Sequence, residues 1–171
     1  MNKDQIRKYI KIIRKTLNTE EISNKIVNNI RGLKECQYAE NIMIYYPLKN
    51  EINLLSLLED GKNFYLPKVH GEKLMTCPYK KGDDLKISEF KTMEPKTMPA
   101  DKRCLDLVFV PALCVDKEKY RLGYGKGFYD RYLKGLNATK IVPIASCFVL
   151  DEIPHDKFDE KVSLIITENC W

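Results

Sequence analysis

The residues of this chain best suited to chemistry surround a glycine-rich loop, Gly123-Tyr-Gly-Lys-Gly127, which follows an apolar run and leads into a helical pattern. Three glycines at alternate positions let the backbone adopt positive φ and approach a ligand closely, so that successive N–H groups can converge on an anion. The helix predicted from Gly127 adds the positive end of its dipole. Arg121 and Lys126 supply partly exposed positive charge suited to the transferring end of a nucleotide. The spacing therefore predicts a phosphate-binding loop with Arg121 and Lys126 as catalytic candidates.

The loop does not match the two commonest nucleotide-binding motifs. It lacks the GxxxxGK pattern followed by Ser or Thr, and no Gly or Ala stands at the last position of the dinucleotide fingerprint. The glycines alone are therefore also compatible with a plain strand-to-helix turn. Asp130, in the first turn of the predicted helix, is either a partner of the helix dipole or a ligand for the Mg²⁺ that accompanies a nucleotide. No Ser-His-Asp or Cys-His arrangement at a familiar spacing is present, so no side-chain nucleophile is predicted.

A basic helix at the N-terminus is the second candidate. Apolar residues at spacings of four, three and four predict a helix from Lys3 to Leu17, and these are Ile6, Ile10, Ile13 and Leu17. A second stripe lies about a quarter-turn away and borders the buried face; it consists of Lys3, Arg7, Lys11 and Arg14. This stripe is either a solvated basic flank or part of a binding site.

Alternating strands and helices must position these residues. Asn18 followed by Glu21 predicts the start of a second helix, which completes an N-terminal helical pair. Short helices are predicted for residues 53–60 and 127–136, and residues 80–103 form an irregular excursion with short strands. The predicted strands are 42–46, 64–69, 74–79, 105–110, 141–148 and 163–167. This order predicts an α/β fold, with a mostly parallel central sheet flanked by helices on both faces in a Rossmann-like, three-layer arrangement.

Composition narrows the class of protein. The 171 residues predict a single domain spanning 1–171, and the net charge of +5 favours anionic ligands without requiring nucleic acid. The longest apolar stretch, residues 141–150, is interrupted by Pro143 and is too short to span a membrane. No apolar segment of a secretory signal follows the basic N-terminus, so we expect a cytoplasmic protein. We also expect the protein to be a monomer. Six scattered cysteines without a CxxC pair are expected to be reduced and mostly buried, and only two histidines occur, which argues against a zinc site.

The loop and its surroundings resemble a known family. The segment RLGYGKGFYD at residues 121–130, preceded by Val-Pro-Ala at 110–112, is similar to the signature of the 5-formyltetrahydrofolate cyclo-ligase family, also called 5,10-methenyltetrahydrofolate synthetase. The resemblance extends over nearly the whole chain. It includes Lys3, Arg7 and Arg14, Tyr46-Pro47 with Glu51, Glu94-Pro95, Pro154, Asp159 and Ile165-Ile-Thr-Glu168.

The resemblance implies an ATP- and Mg²⁺-dependent ring closure of 5-formyltetrahydrofolate, including its polyglutamylated forms, to 5,10-methenyltetrahydrofolate, with release of ADP and phosphate. The formyl oxygen would attack the γ-phosphate, and N10 would then close the ring on the imidate phosphate. A phosphoryl transfer of this kind requires mainly alignment and charge stabilisation.

The resemblance also implies roles for individual residues. The implied ATP site consists of Lys3, Arg7, Arg121, Gly123, Tyr124, Gly125, Lys126, Gly127, Phe128 and Tyr129. Asp130 and Asp159 would hold Mg²⁺, while Tyr46, Glu51 and Tyr124 would contact folate. Ordinary core packing is an open alternative for Tyr46, and capping of the helix at 53–60 is one for Glu51.

The sequence departs from the family pattern at two informative positions. Lys119 stands where a glycine is frequent, and Ser163 stands where many relatives have a second acidic residue. Two other classes of function would use such residues differently. A nucleic-acid-binding module would spread its cations over a surface, and a sugar-phosphate isomerase or acyl-CoA-type enzyme would use the loop without ATP. We expect no nucleic-acid partner and no membrane partner.

Overall fold

The computed structural model describes residues 1–169, so Cys170 and Trp171 lie outside the described residues. Four α-helices are present in these residues, and their bounds are α1 Lys3–Arg14, α2 Thr19–Arg31, α3 Lys34–Tyr38 and α4 Phe128–Leu133. Eleven strands are present in the same part of the chain. Their bounds are β1 Asn41–Met43, β2 Asn63–His70, β3 Lys73–Tyr79, β4 Leu85–Ile87, β5 Met93–Pro95, β6 Leu107–Phe109, β7 Cys114–Asp116, β8 Arg121–Leu122, β9 Thr139–Pro143, β10 Val149–Leu150 and β11 Leu164–Ile166.

A six-stranded sheet forms the centre of the molecule, in the order β11-β9-β6-β1-β2-β3. Five of its strands are parallel, and β3 pairs antiparallel with β2 through the predicted hairpin. Alternate residues of β6 point to opposite faces, so Leu107 and Phe109 pack with α2 while Val108 packs with α1 and α4. The prediction of a mostly parallel sheet with helices on both faces is confirmed.

Both N-terminal helices owe their boundaries to asparagine caps. The Asn2 side chain accepts a hydrogen bond from Gln5 N, and the Asn18 side chain accepts one from Glu21 N, as the sequence predicted for α2. Helix α1 ends at Arg14, three residues earlier than predicted, in a turn where Thr16 N donates to Ile13 O.

Four further element predictions need correction. The strand predicted for 42–46 ends at Met43. The strand predicted for 141–148 ends at Pro143, and Ser146–Phe148 is a 3₁₀ turn, because a continuous apolar run does not distinguish a strand from a buried turn. Helix α4 ends at Leu133 and not at residue 136, where Gly135 adopts a φ of +72° and breaks the helical path. The helix predicted for 53–60 is a 3₁₀ helix over Leu55–Glu59.

A small sheet that the sequence did not predict leads from the core to the glycine loop. Its strand order is β10-β7-β8, and β8 ends directly before Gly123. Asp116, at the end of β7, is buried and accepts hydrogen bonds from Glu118 N, Tyr120 N and Ile153 N. This carboxylate therefore ties the β7–β8 turn to the segment that carries Asp159.

The departures from the family pattern have structural explanations. Lys119, in the β7–β8 turn, has a φ of +71°, a conformation that glycine adopts without strain. Ser163 exchanges hydrogen bonds with the backbone of Lys140, between β9 and β11, and does not line the cavity described below.

Two composition-based expectations can be compared with the described residues. Within residues 1–169, no helix combines the length and apolar composition that crossing a membrane requires. The five cysteines in this range are free thiols. Cys36, Cys77 and Cys114 are buried, whereas Cys104 and Cys147 are exposed.

Candidate functional site

A cavity of about 750 Å³ lies beside the glycine loop. Its walls come from α1, the chain after β1, the β2–β3 hairpin, the segment around β5, the loop with α4, and the segment 156–160. Every site residue predicted from the sequence lines this cavity: Lys3, Arg7, Tyr46, Glu51, Arg121, Gly123, Tyr124, Gly125, Lys126, Gly127, Phe128, Tyr129, Asp130 and Asp159. The fold therefore brings together residues separated by more than a hundred positions.

Helix α1 contacts the glycine loop through Arg7. The Arg7 Nε donates to the carbonyl oxygen of Gly123 at 2.9 Å, and its Nη1 donates to Asp4 at 2.7 Å. Gly125 has a φ of +104°, and a Cβ atom there would lie 3.4 Å from the Arg7 guanidinium carbon. The loop thus needs glycine both for its backbone conformation and for the close approach of this cation.

Lys3 connects the start of α1 to the C-terminal segment. Its Nζ lies 2.6 Å from Asp159 and 3.4 Å from Asp156. Burial by itself lowers the pKa of Lys3, but the hydrogen bond and the negative charge of Asp159 outweigh it and raise the pKa. The interpretation of the basic stripe as a solvated flank does not describe Lys3, Arg7 or the buried Arg14.

Arg121 is buried, contrary to the expectation of a partly exposed cation. Its side chain is 3% exposed and packs over the Tyr129 ring, and its Nη2 donates to Asp130 Oδ1 at 3.1 Å. The same Asp130 oxygen accepts from Glu160 N. The Nε atom of Arg121 is buried and has no hydrogen-bond partner among the described residues. A buried donor of this kind normally has a partner, which points to an anionic ligand.

Lys126 is exposed at the tip of the loop, as expected. Its ammonium lies 4.9 Å from the ring centre of Phe90, and the Phe90 ring packs edge-on against Phe128 at 5.6 Å. Gly127 caps α4 with a φ of +69°, and Arg131 donates to the carbonyl oxygen of Lys126. Lys126 is therefore held over the cavity by a cation–π contact and a braced backbone.

A buried carboxylate forms another part of the wall. Glu51 accepts hydrogen bonds from Leu48 N at 2.7 Å and from the Tyr124 hydroxyl at 3.0 Å. Burial raises the pKa of Glu51, while these two hydrogen bonds act in the opposite direction. Glu51 does not cap the 3₁₀ helix at Leu55–Glu59, where the Asn53 side chain accepts from Leu55 N instead.

The aromatic candidates differ in their surroundings. Tyr129 lies under the Arg121 guanidinium, 5.7 Å from ring centre to Cζ, and burial raises the pKa of its hydroxyl. Tyr46 lines the cavity and also packs against the core, so its position is compatible with either interpretation of this residue. The neighbouring Tyr45 is a core residue whose hydroxyl donates to Ile52 O.

Two carboxylates could share a metal ion with a bound nucleotide. Asp130 and Asp159 come from different elements, and each is paired with one cation, Arg121 and Lys3 respectively. Among residues 1–169, no group of three His, Cys, Asp or Glu side chains could hold a metal ion alone. Mg²⁺ commonly uses one or two carboxylates together with water and substrate phosphates, so the pair fits that ion in a complex with nucleotide.

Comparison with known proteins agrees with this arrangement. The sequence model of the 5-formyltetrahydrofolate cyclo-ligase family matches residues 1–168. The chain belongs to this family. The family predicted from the RLGYGKGFYD segment is thereby confirmed, and with it the enzyme class, a ligase.

Individual cyclo-ligase relatives match over most of their length. The 5-formyltetrahydrofolate cyclo-ligase of Haemophilus influenzae is 29% identical, with 92% of each chain covered. The structure of Aquifex aeolicus 5,10-methenyltetrahydrofolate synthetase is 32% identical with a TM-score of 0.86, covering 98% of this chain and 90% of that one. A 5,10-methenyltetrahydrofolate synthetase from Mycoplasma pneumoniae is 26% identical with a TM-score of 0.80, covering 98% and 99%.

Three residues at or behind the cavity were not among the site residues predicted from the sequence. Glu94 is buried in the wall and accepts from Val69 N at 2.7 Å, and Phe90 contacts Lys126 from the irregular excursion. Arg14 is buried behind Tyr124. The periodicity of α1 gave a signal for Arg14, since it borders the apolar stripe, whereas nothing in the local pattern singled out Phe90.

Proposed function

We propose that this chain catalyses the ATP- and Mg²⁺-dependent cyclisation of 5-formyltetrahydrofolate to 5,10-methenyltetrahydrofolate, with release of ADP and phosphate. The observation that carries the proposal is that cations and a buried acceptor share one cavity. Lys3, Arg7, Arg121 and Lys126 line the same space as Glu51, with the glycine loop between them. Family membership over residues 1–168 supports the same reaction.

The residues that line the cavity fit a nucleoside triphosphate. Within residues 1–169, the buried Arg121 Nε has no hydrogen-bond partner, and an anionic oxygen would satisfy this donor. The three loop glycines let the side chains of Arg121, Arg7 and Arg131 approach the backbone closely. In the proposal, Lys3, Arg7, Arg121 and Lys126 surround the phosphates, and the loop from Gly123 to Tyr129 covers them. Asp130 and Asp159 would hold Mg²⁺, which would supply positive charge to neutralise the phosphate oxygens.

The residues present also fit the pterin ring of a folate. An ionised carboxylate only accepts hydrogen bonds, and the pterin presents amide and amine N–H donors. Glu51 is buried enough to make such bonds strong, and Tyr46 and Tyr124 supply aromatic surface next to it.

The proposed chemistry relies on positioning. The formyl oxygen attacks the γ-phosphate and displaces ADP. N10 then attacks the imidate carbon and gives up its proton to solvent, the carbon–oxygen bond breaks to release phosphate, and the ring closes. The developing charge on the transferring group is stabilised by Arg121 and Lys126. Because no protein nucleophile takes part, the reaction needs no catalytic Ser or Cys.

The test is direct turnover with purified protein. We expect the near-ultraviolet absorbance of methenyltetrahydrofolate to rise with 5-formyltetrahydrofolate, ATP and Mg²⁺ together, with one ADP formed per product. Omission of ATP or of Mg²⁺ should abolish the rise. Product formation without nucleotide would favour a nucleotide-independent enzyme, and no product under any of these conditions would refute the proposal.

A further inference from the structure

Arg14 is a buried cation that does not line the cavity yet bonds to a residue that does. Its guanidinium donates to the Tyr124 hydroxyl oxygen at 2.8 Å and to the carbonyl oxygen of Ala112. The residue is 8% exposed, and the Phe148 ring lies 5.9 Å from its guanidinium carbon. Burying a charged group is unfavourable unless its donors are matched, so these contacts fix the guanidinium in one place.

The direction of these hydrogen bonds also determines where the hydroxyl proton of Tyr124 points. A guanidinium only donates, so the Tyr124 oxygen accepts from Arg14. The O–H of Tyr124 is then available to donate to Glu51 Oε2 at 3.0 Å, while Glu51 Oε1 accepts from Leu48 N. A hydrogen-bonded relay of three residues, Arg14 to Tyr124 to Glu51, therefore runs from the end of α1 to the cavity wall.

We infer that Arg14 is a positioning residue which, through Tyr124, aims a hydroxyl proton at Glu51 and keeps this buried carboxylate an acceptor for the N–H donors of the folate ring. The inference rests on the proposed function for the identity of the ligand. It adds a residue outside the cavity to the determinants of folate binding, and it predicts how that binding depends on pH.

Among the groups that face one another around Glu51, its carboxyl is the one that acidification can neutralise. The other groups are Tyr45 from the chain after β1, Tyr124 from the loop, Tyr129 from α4 and Arg14 from α1. Burial raises the pKa of all three tyrosines, so they stay neutral between about pH 6 and 8. Burial also raises the pKa of Glu51, and the Tyr124 hydrogen bond and the Arg14 charge oppose that rise.

The effect of removing Arg14 on the pH dependence of folate binding therefore has a predictable direction. Without its charge and the fixed hydroxyl, the pKa of Glu51 rises further, and protonation at lower pH turns the acceptor into a donor. We expect the Kd of Arg14→Met for 5-formyltetrahydrofolate to be about tenfold higher at pH 6 than at pH 8. The wild-type Kd should change less than about threefold over the same range. Binding is measured by calorimetry without ATP, so that the titration of phosphate does not contribute.

A double-mutant cycle tests whether Arg14 acts through Tyr124. Tyr124→Phe removes the hydroxyl but keeps the bond from Arg14 to Ala112, and we expect it to reproduce the pH dependence. The double variant should bind folate no worse than Tyr124→Phe alone. Lys15→Met is the matched control, since Lys15 is the exposed neighbour at the end of α1 and should leave the profile unchanged.

Arg14→Lys keeps the charge and one donor, so its pH effect should lie between those of wild type and Arg14→Met. It replaces Arg14→Met in the cycle if the latter does not fold. A pH-independent loss in the Arg14 variants, or additive losses in the double variant, would overturn the inference while folate binding by the wild type still supports the proposed function. Failure of the wild-type chain to bind folate at all would overturn both.

Discussion

Replacement of Arg121 by methionine separates the catalytic and structural roles of the most deeply buried cation in the cavity. The side chain is 3% exposed, while that of its partner Asp130 is 24% exposed. Loss of the pair should cost roughly 1–2 kcal/mol, less than a fully buried pair, because Asp130 remains partly solvated and keeps the Glu160 amide. Methionine also removes the unpartnered Nε, whose burial costs about 1–3 kcal/mol. The two effects oppose each other.

The net change in the free energy of unfolding should therefore stay within about 2 kcal/mol, which lowers the Tm of a chain of this length by no more than about 8 °C. Turnover should fall by about 10²-fold or more, because a buried cation directed at developing charge contributes on that scale. The rise in Tm caused by ATP with Mg²⁺ should also shrink, since the variant loses a donor that the nucleotide would satisfy.

The assays are methenyltetrahydrofolate formation under kcat/KM conditions and thermal melting with and without nucleotide. Arg31→Met is the matched control, because Arg31 pairs with Asp60 at 2.9 Å on the surface, away from the cavity. A kcat/KM of Arg121→Met close to that of the wild type would refute the reasoning. So would a collapse of Tm that accounts for the entire loss of activity.

Three further predictions test other parts of the cavity. Lys126→Ala should lower turnover by about 10²-fold with little change in Tm, since the side chain is exposed; near-normal kcat/KM would make the loop a simple turn. Lys3→Ala combined with Arg7→Ala should raise the KM for ATP with a Tm change of only a few degrees, because the apolar stripe of α1 is untouched; an unchanged KM would remove α1 from the nucleotide site. Glu51→Gln should weaken 5-formyltetrahydrofolate binding by about tenfold and leave ATP binding nearly unchanged by calorimetry; equal losses for both ligands would contradict the assignment to folate.

Periodicity and local signals sufficed for the central architecture. The N-terminal helical pair, the hairpin between β2 and β3, and the buried strand β6 each have a pattern that points to one structure. The apolar residues at 107–110 are buried on both faces, as expected for a central parallel strand. These features depend on which side chains avoid water, and that property is local to the sequence.

The ends of strands and helices and the exposure of individual side chains were less predictable from the sequence. The run at 141–148 is apolar throughout, but only its first part pairs with β6 and β11. Arg121 was expected to be partly exposed because it stands beside the glycine loop, yet its side chain packs against Gly123 and Tyr129 and is 3% exposed. In each case tertiary packing decided the outcome, and residue type alone carries no information about that packing.

The sequence by itself determined the fold class, the family and many of the residues that meet in the cavity, because the glycine loop, the basic stripe and two carboxylates are recognisable from residue types and spacings. Only the tertiary structure decided how they are connected. Arg7 on the Gly123 carbonyl, the Asp116 anchor and the relay from Arg14 through Tyr124 to Glu51 each join segments that are far apart in the chain. The physical reason is that the direction of a hydrogen bond and the burial of a charge depend on packing between elements, which no local pattern specifies.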